Sequence, residues 1–201
     1  MYQLPLKGKV RLTTPFGKQG SWACGFHTGI DLVGDSSKNI YPLASGTVES
    51  IDAHGSSYGR HVCVRHSDGN VSLYAHLAAV YVDKGQKVGP STVLGREGAT
   101  GNANGSHLHL EIHRGNYRYP PKNSSPAKCS WLLDPAAALG IENKAGQVKT
   151  LANNNEPSAW AKEAWAWAKE TGIMDGTRPK DKVTREELAA ITWSLYMKLN
   201  K

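Results

Sequence analysis

The sequence predicts a mainly β fold, an antiparallel sheet or sandwich of short strands, followed by a small all-α helical hairpin. Three observations carry this reading. Apolar and polar residues alternate over several short stretches, the period of half-buried strands. Among 201 residues, 21 glycines and ten prolines punctuate those stretches, at the roughly 8–12-residue spacing of all-β proteins. Beyond residue 157 the pattern turns helical and rich in alanine and tryptophan. The chain is long enough for a sizeable core.

Taken in order, residues 10–14 read as a strand and 15–17 as a turn. Residues 27–33 read as extended chain, because Gly29 weakens a helix and Val33 leads into further strand signals. His27 and Asp31, four apart, share a face in either conformation. Residues 44–51 and 60–66 are the next strands, and Asp68-Gly69 is a hairpin signal that returns the chain into 71–77. Short elements separated by glycine follow at 84–89 and 92–95. The loop 100–105 delivers the chain into the strand 106–113, where Leu108, Leu110 and Ile112 face the core. A short helix at 136–139 closes a domain placed at residues 1–141, and the polar stretch 142–156 reads as a linker. In the hairpin domain, 157–201, Pro157 opens the first helix, Trp160, Ala164 and Trp167 form one stripe, and Gly172 stops it. Thr184 and Glu187 form a capping box ahead of Leu188, Ile191 and Leu195.

No apolar run reaches the length of a transmembrane helix, so no membrane span is expected. The first nine residues lack a basic region followed by an apolar stretch, so no secretory signal peptide is expected either. The net charge of +7 divides into +5 over residues 1–141 and +2 over 142–201. Such a balance favours an anionic partner. Lys and Arg do not cluster with aromatics, which argues against nucleic acid. Three cysteines with no Cys-x-x-Cys pair exclude a thiolate zinc ribbon. Cys63, between Val62 and Val64, reads as an inert buried thiol, and Cys24 can pair with Cys129 only if the fold brings them together.

The chemistry centres on His107 and His109, which share the strand face opposite the leucines. Two imidazoles on a rigid strand suit a metal site, or a ligand beside a general base. Candidate partners are His27 with Asp31, and His76. A catalytic zinc site takes three ligands from His, Asp or Glu and leaves a fourth position open. No His-Glu-x-x-His helix is present, which excludes the helical zincin arrangement and leaves the base to come from elsewhere.

Phe26-His27-Thr28-Gly29-Ile30-Asp31, Tyr74-Ala75-His76-Leu77 and Gly105-Ser106-His107-Leu108-His109-Leu110-Glu111 stand in the chain in that order. They resemble the motifs of the lysostaphin-type (LytM-like) zinc endopeptidases of bacterial peptidoglycan. Residues 44–48 and 85–89 resemble the family's framework, and the likeness spans roughly 10 to 139. The resemblance implies one catalytic Zn2+ bound by His27, Asp31 and His109. It also implies that His76 and His107 are the catalytic histidines, activating water and stabilising the tetrahedral oxyanion, with their division of labour open. Related peptidoglycan carboxypeptidases space the first two ligands further apart, so the spacing here implies the endopeptidase branch. His54, His61 and His66 match no ligand position and read as surface or structural groups. His113 is placed outside the ligand set. Glu111 shares its parity with His109, and a role orienting a ligand is given less weight than a plain structural one.

The tail has a likeness of its own. Trp160, Gly172-Ile173-Met174-Asp175-Gly176, Pro179 and 183–188 resemble one S-layer-homology repeat. Such repeats typically bind cell-wall polysaccharide and usually occur in threes, and Glu186 stands where alanine is frequent. The likeness implies wall binding, with Arg185 suited to an anionic glycan and Trp160 as a second wall-binding residue. Together the two resemblances imply a phage endolysin of a Gram-positive host, held in the host cytoplasm until release to the wall. A secreted bacterial autolysin and a non-catalytic wall-binding or activator module on the same fold are the alternatives.

Overall fold

The computed structural model describes residues 2–55 and 57–150. Among them the chain forms β1 (Lys9–Thr14), β2 (Ile30–Gly34), β3 (Asn39–Ile40), β4 (Gly46–Gly55), β5 (Gly59–His66), β6 (Asn70–Ala75), β7 (Ala79–Val80), β8 (Lys87–Val88), β9 (Gly95–Arg96), β10 (Leu108–Arg114), β11 (Leu132–Leu133), α1 (Pro135–Leu139) and β12 (Val148–Thr150). Nine strands make one antiparallel sheet in the order β12-β1-β2-β10-β6-β5-β4-β8, with β11 also on β10. A second sheet of three strands runs β3-β9-β7. The fold is mainly β with few helices.

Sheet order departs from chain order at one decisive place. The late strand β10 inserts between β2 and β6, so residues from three distant parts of the sequence become neighbours. Leu108, Leu110 and Ile112 point into the main core with Leu12, Leu32 and Tyr74, all fully buried. His109, Glu111 and His113 take the other face, and they are buried as well. The strand was expected to be half-buried; instead both faces are covered. Ala75, Leu73, Val71 and Cys63 form a small apolar cluster from β5 and β6 on the same face, with Tyr58 packed against it. The loop after β10 lays Tyr117 on the His113 ring at 4.8 Å. Polar groups buried in this way must find partners within the protein.

Residues 142–150, expected to open a linker, belong to the first of the two units into which the chain divides, Met1–Leu151 and Ala152–Lys201. β12 pairs with β1 at the sheet edge, with Lys149 opposite Val10. Lys149 also caps the carbonyls of Leu139 and Gly140 at the end of α1, and the Asn143 amide bonds both backbone groups of Phe16. A three-residue edge strand whose Val148 is 54% exposed leaves no apolar alternation to read. The helical hairpin expected at 157–201, with Trp160 and Arg185, lies outside the described residues. Cys24 and Cys129 do share one buried cluster with Phe26 and Leu132, yet all three cysteines are free thiols.

Gly29, between His27 and Asp31, lies against β10. A Cβ there would fall 2.1 Å from the Leu110 carbonyl oxygen and 2.9 Å from Glu111 Cγ. Gly29→Ala is expected to lower stability by about 1–3 kcal/mol, the usual cost of overpacking. Thermal denaturation checks it, and an unchanged Tm would rule out this close approach.

Candidate metal centre

Asp31 on β2 and His109 on β10 are direct cross-strand partners, and Ala75 on β6 flanks His109 on its other side. This register brings Asp31 Oδ1 to 2.9 Å from His109 Nδ1. His27 precedes β2; its N–H donates to the Lys18 carbonyl and its own carbonyl accepts from Gly17, which turns the ring back over the sheet. His27 Nε2 then lies 3.0 Å from His109 Nδ1 and 3.1 Å from Asp31 Oδ1. Of the described residues, His27, Asp31 and His109 offer three ligand atoms within 4.8 Å of one another.

The other two histidines flank this trio. His107 stands just before β10, its N–H donating to the Gly98 carbonyl, and its Nε2 is 3.6 Å from Asp31 Oδ1. His76 follows the last residue of β6 with a φ of 63°, a left-handed conformation that a non-glycine residue adopts only where its surroundings enforce it. There the Tyr58 carbonyl accepts its N–H, and the ring sits 4.8 Å from the His107 ring and 5.8 Å from the His109 ring.

All four rings are tethered by the nitrogen that does not face the centre. His27 Nδ1–H donates to the Pro15 carbonyl at 3.1 Å, and His76 Nδ1–H to the Thr100 carbonyl at 2.8 Å. His107 Nδ1–H donates to the Gly105 carbonyl at 2.8 Å, and His109 Nε2–H to Glu111 Oε1 at 3.0 Å. Each tether fixes a tautomer and leaves the opposite lone pair available. Glu111 is itself fully buried and held from both sides, by Tyr58 Oη–H at 2.6 Å and His113 Nε2–H at 2.7 Å.

The donor set fits a cation. Two imidazole lone pairs and a carboxylate oxygen face one another at about 3 Å, an arrangement that needs a positive charge among the three. Donors around a tetrahedral Zn2+ sit about 3.3 Å apart, so a few tenths of an ångström of expansion would admit the ion. Without a metal a proton takes its place. Burial alone would push the His109 ring down, but the hydrogen bonds to Asp31 and Glu111 outweigh it and hold the ring up at about 9. Burial likewise would raise Asp31, yet the bonds from His109 and His27 keep its carboxyl well below the usual range. His76 is pushed down to about 4, first by burial and then by the charge on His109.

The structure thus brings His27, Asp31, His109, His76 and His107 together. It leaves His61 bonded to the Gly59 carbonyl and His66 between the Ser45 carbonyl and Ser72. Glu111 takes the role that was given less weight, since it bonds His109 directly. The shared parity of the two residues was the available signal. Tyr58, reaching Glu111 from the β4–β5 turn, had none.

Residues 25–121 match peptidase family M23. Over 107 residues the chain is 35% identical to the DD-carboxypeptidase/endopeptidase Mpg of Neisseria meningitidis, an alignment covering 51% of this chain and 24% of that protein. The chain spans about a quarter of the length of the curated relatives it matches. A peptidase M23 structure from Pseudomonas aeruginosa superposes with a TM-score of 0.52 at 31% identity, covering 70% of this chain and 50% of that one. The catalytic domain of the antimicrobial peptidase lysostaphin from Staphylococcus simulans has the same fold, with a TM-score of 0.55 at 20% identity over 65% of this chain and 92% of that one.

Because a metal must displace the His109 proton, apparent Zn2+ affinity should rise about tenfold per pH unit up to about pH 9. Glu111→Gln withdraws the charged acceptor and should weaken Zn2+ binding by about 10–100-fold. Competition titrations against a chromophoric chelator measure both; an affinity indifferent to pH and to Glu111 would contradict the tethering scheme.

Proposed function

We propose, from the match of residues 25–121 to peptidase family M23, that this protein is a zinc-dependent endopeptidase. Its substrate on this reading is a peptide bond in the stem peptide or cross-bridge of bacterial peptidoglycan. The observation that carries the proposal is the convergence of four tethered imidazoles, three of them within 3.6 Å of the Asp31 carboxylate and His76 against two of those three. Two peptidoglycan DD-endopeptidases of Vibrio cholerae, each 33% identical over the matched part, support the substrate class.

His27 Nε2, Asp31 Oδ1 and His109 Nδ1 would hold the ion, with Glu111 and the Pro15 carbonyl fixing the two rings. Bound Zn2+ supplies Lewis acidity, polarising a peptide carbonyl and bringing the pKa of water to about 7. His76, pushed down to about 4, stays neutral at working pH and can accept the proton of the attacking water. A ring with so low a pKa then gives that proton up readily to the leaving amine. In its doubly protonated form His107 would present an Nε2–H, 3.6 Å from Asp31, to the charge developing on the carbonyl oxygen.

The finer setting we propose is a phage lysis enzyme acting on the wall of a Gram-positive host. The likeness of 157–201 to an S-layer-homology repeat and the net charge of +7 support it. Under that setting, Trp160→Ala with Arg185→Ala in the full chain should reduce co-sedimentation with purified Gram-positive walls while cleavage of a soluble peptide persists. Walls retained equally by the variant would remove the tail from the proposal.

Chelation should abolish lysis of purified walls and Zn2+ should restore it. His107→Ala should lower kcat by about 100-fold or more while Zn2+ still binds. Full activity in metal-free protein would end the zinc reading. An effect on walls that survives His107→Ala would instead favour a non-catalytic module.

A further inference from the structure

The segment that follows β10 carries positive charge that the fold does not answer. Residues 112–133 contain Arg114, Arg118, Lys122 and Lys128 and not one Asp or Glu. Arg114, Asn116, Tyr117 and Arg118 line a cavity of about 380 Å3. Neither Arg114 nor Arg118 has a carboxylate partner among the described residues. Arg65 nearby is different, since Glu49 binds it at 2.7 Å.

The two unpaired arginines are nonetheless anchored. The Arg118 guanidinium lies 3.7 Å from the centre of the Trp131 ring, and Trp131 Nε1–H donates to the Arg118 carbonyl at 3.0 Å. The Arg114 N–H donates to the Trp131 carbonyl at 2.6 Å, so the same residue fixes the backbone from which Arg114 projects. Asn116 Oδ1 accepts from Arg65 at 2.9 Å, which turns its amide and leaves the NH2 group as a further donor. A guanidinium stacked on an aromatic face keeps its N–H edges open, and those edges match carboxylate and phosphate oxygens. Donors without acceptors, held in place around a cavity, are the complement of an anion.

The cavity is linked to the metal centre through a row of packed side chains. Tyr117, in its wall, packs on the His113 ring at 4.8 Å; His113 bonds Glu111, and Glu111 bonds His109. We propose that the cavity formed by Arg114, Asn116, Tyr117 and Arg118 is an anion subsite that holds a carboxylate or phosphate group of the wall polymer while another part lies at the metal centre. The identity of the polymer rests on the function proposed above; the anion preference does not.

Calorimetry on the full chain tests it with three probes: a synthetic stem peptide with free carboxyl groups, the same peptide fully amidated, and inorganic phosphate. The wild-type protein should bind the free-acid peptide at least about tenfold more tightly than the amidated one, or bind phosphate, as expected for charge-assisted hydrogen bonds. Arg114→Gln with Arg118→Gln should erase that preference and leave affinity for the amidated peptide unchanged. A preference confined to the peptide identifies a stem carboxylate as the source, and phosphate binding identifies a phosphate-bearing polymer; either upholds the subsite. Equal binding of both peptides with no phosphate binding in the wild type overturns it, and so does a folded double variant that keeps the preference. If the double variant does not fold, Arg118→Gln alone supplies the comparison, and its loss of the preference separates the cavity from anion binding at the metal. Hydrolysis of the amidated peptide, followed separately, reports on the peptidase reading alone.

Discussion

The site depends on one register, His109 opposite Asp31 on one side and Ala75 on the other. Strand side chains alternate, so a one-residue slip of β10 would turn His109 into the leucine core and Leu110 into the site. The apolar face prevents this, because Leu108, Leu110 and Ile112 are fully buried among the core residues of β1, β2 and β6. Hydrophobic packing on one side of the sheet therefore positions the ligands on the other. His27 and His76 hang from the same register, four residues before Asp31 and one after Ala75.

The regular ladder supplies two of the three candidate ligands, and the two flanking histidines stand where regularity ends. His76 lies just past β6 in a left-handed conformation, and His107 just before β10 at an isolated bridge to Gly98. Both rings take their orientation from loop carbonyls, Thr100 and Gly105, which belong to the same glycine-rich turn. A strand holds its side chains perpendicular to the sheet. Rings that must lean over a neighbouring site need the freedom of a strand end.

A polar row runs along the second face of β10, from Asp31 through His109 and Glu111 to His113. Buried networks of this kind are costly when incomplete and rigid when satisfied. Here Tyr58 and His113 complete Glu111, so the carboxylate that orients His109 has no room to turn. The neighbouring arginines lie outside this row. They sit at the surface without a carboxylate partner among the described residues, Arg118 stacked on Trp131.

Much of the local structure could be read from the residues. The period-two strands 10–14 and 60–66 formed, the strand expected at 106–113 formed from Leu108 and left His107 before it, Asp68-Gly69 made its hairpin turn, and the short helix formed at Pro135–Leu139. The histidine motifs placed the five site residues in view. The sequence could not show the insertion of β10 between β2 and β6, the edge strand at 148–150, the reach of Tyr58 to Glu111, or the pairing of Arg118 with Trp131. By itself the sequence determined which side chains face which way, because alternation, turns and caps act over a few neighbouring residues. Only the tertiary structure decided which of those faces meet, because contacts between residues dozens of positions apart depend on how the strands order themselves around a common core.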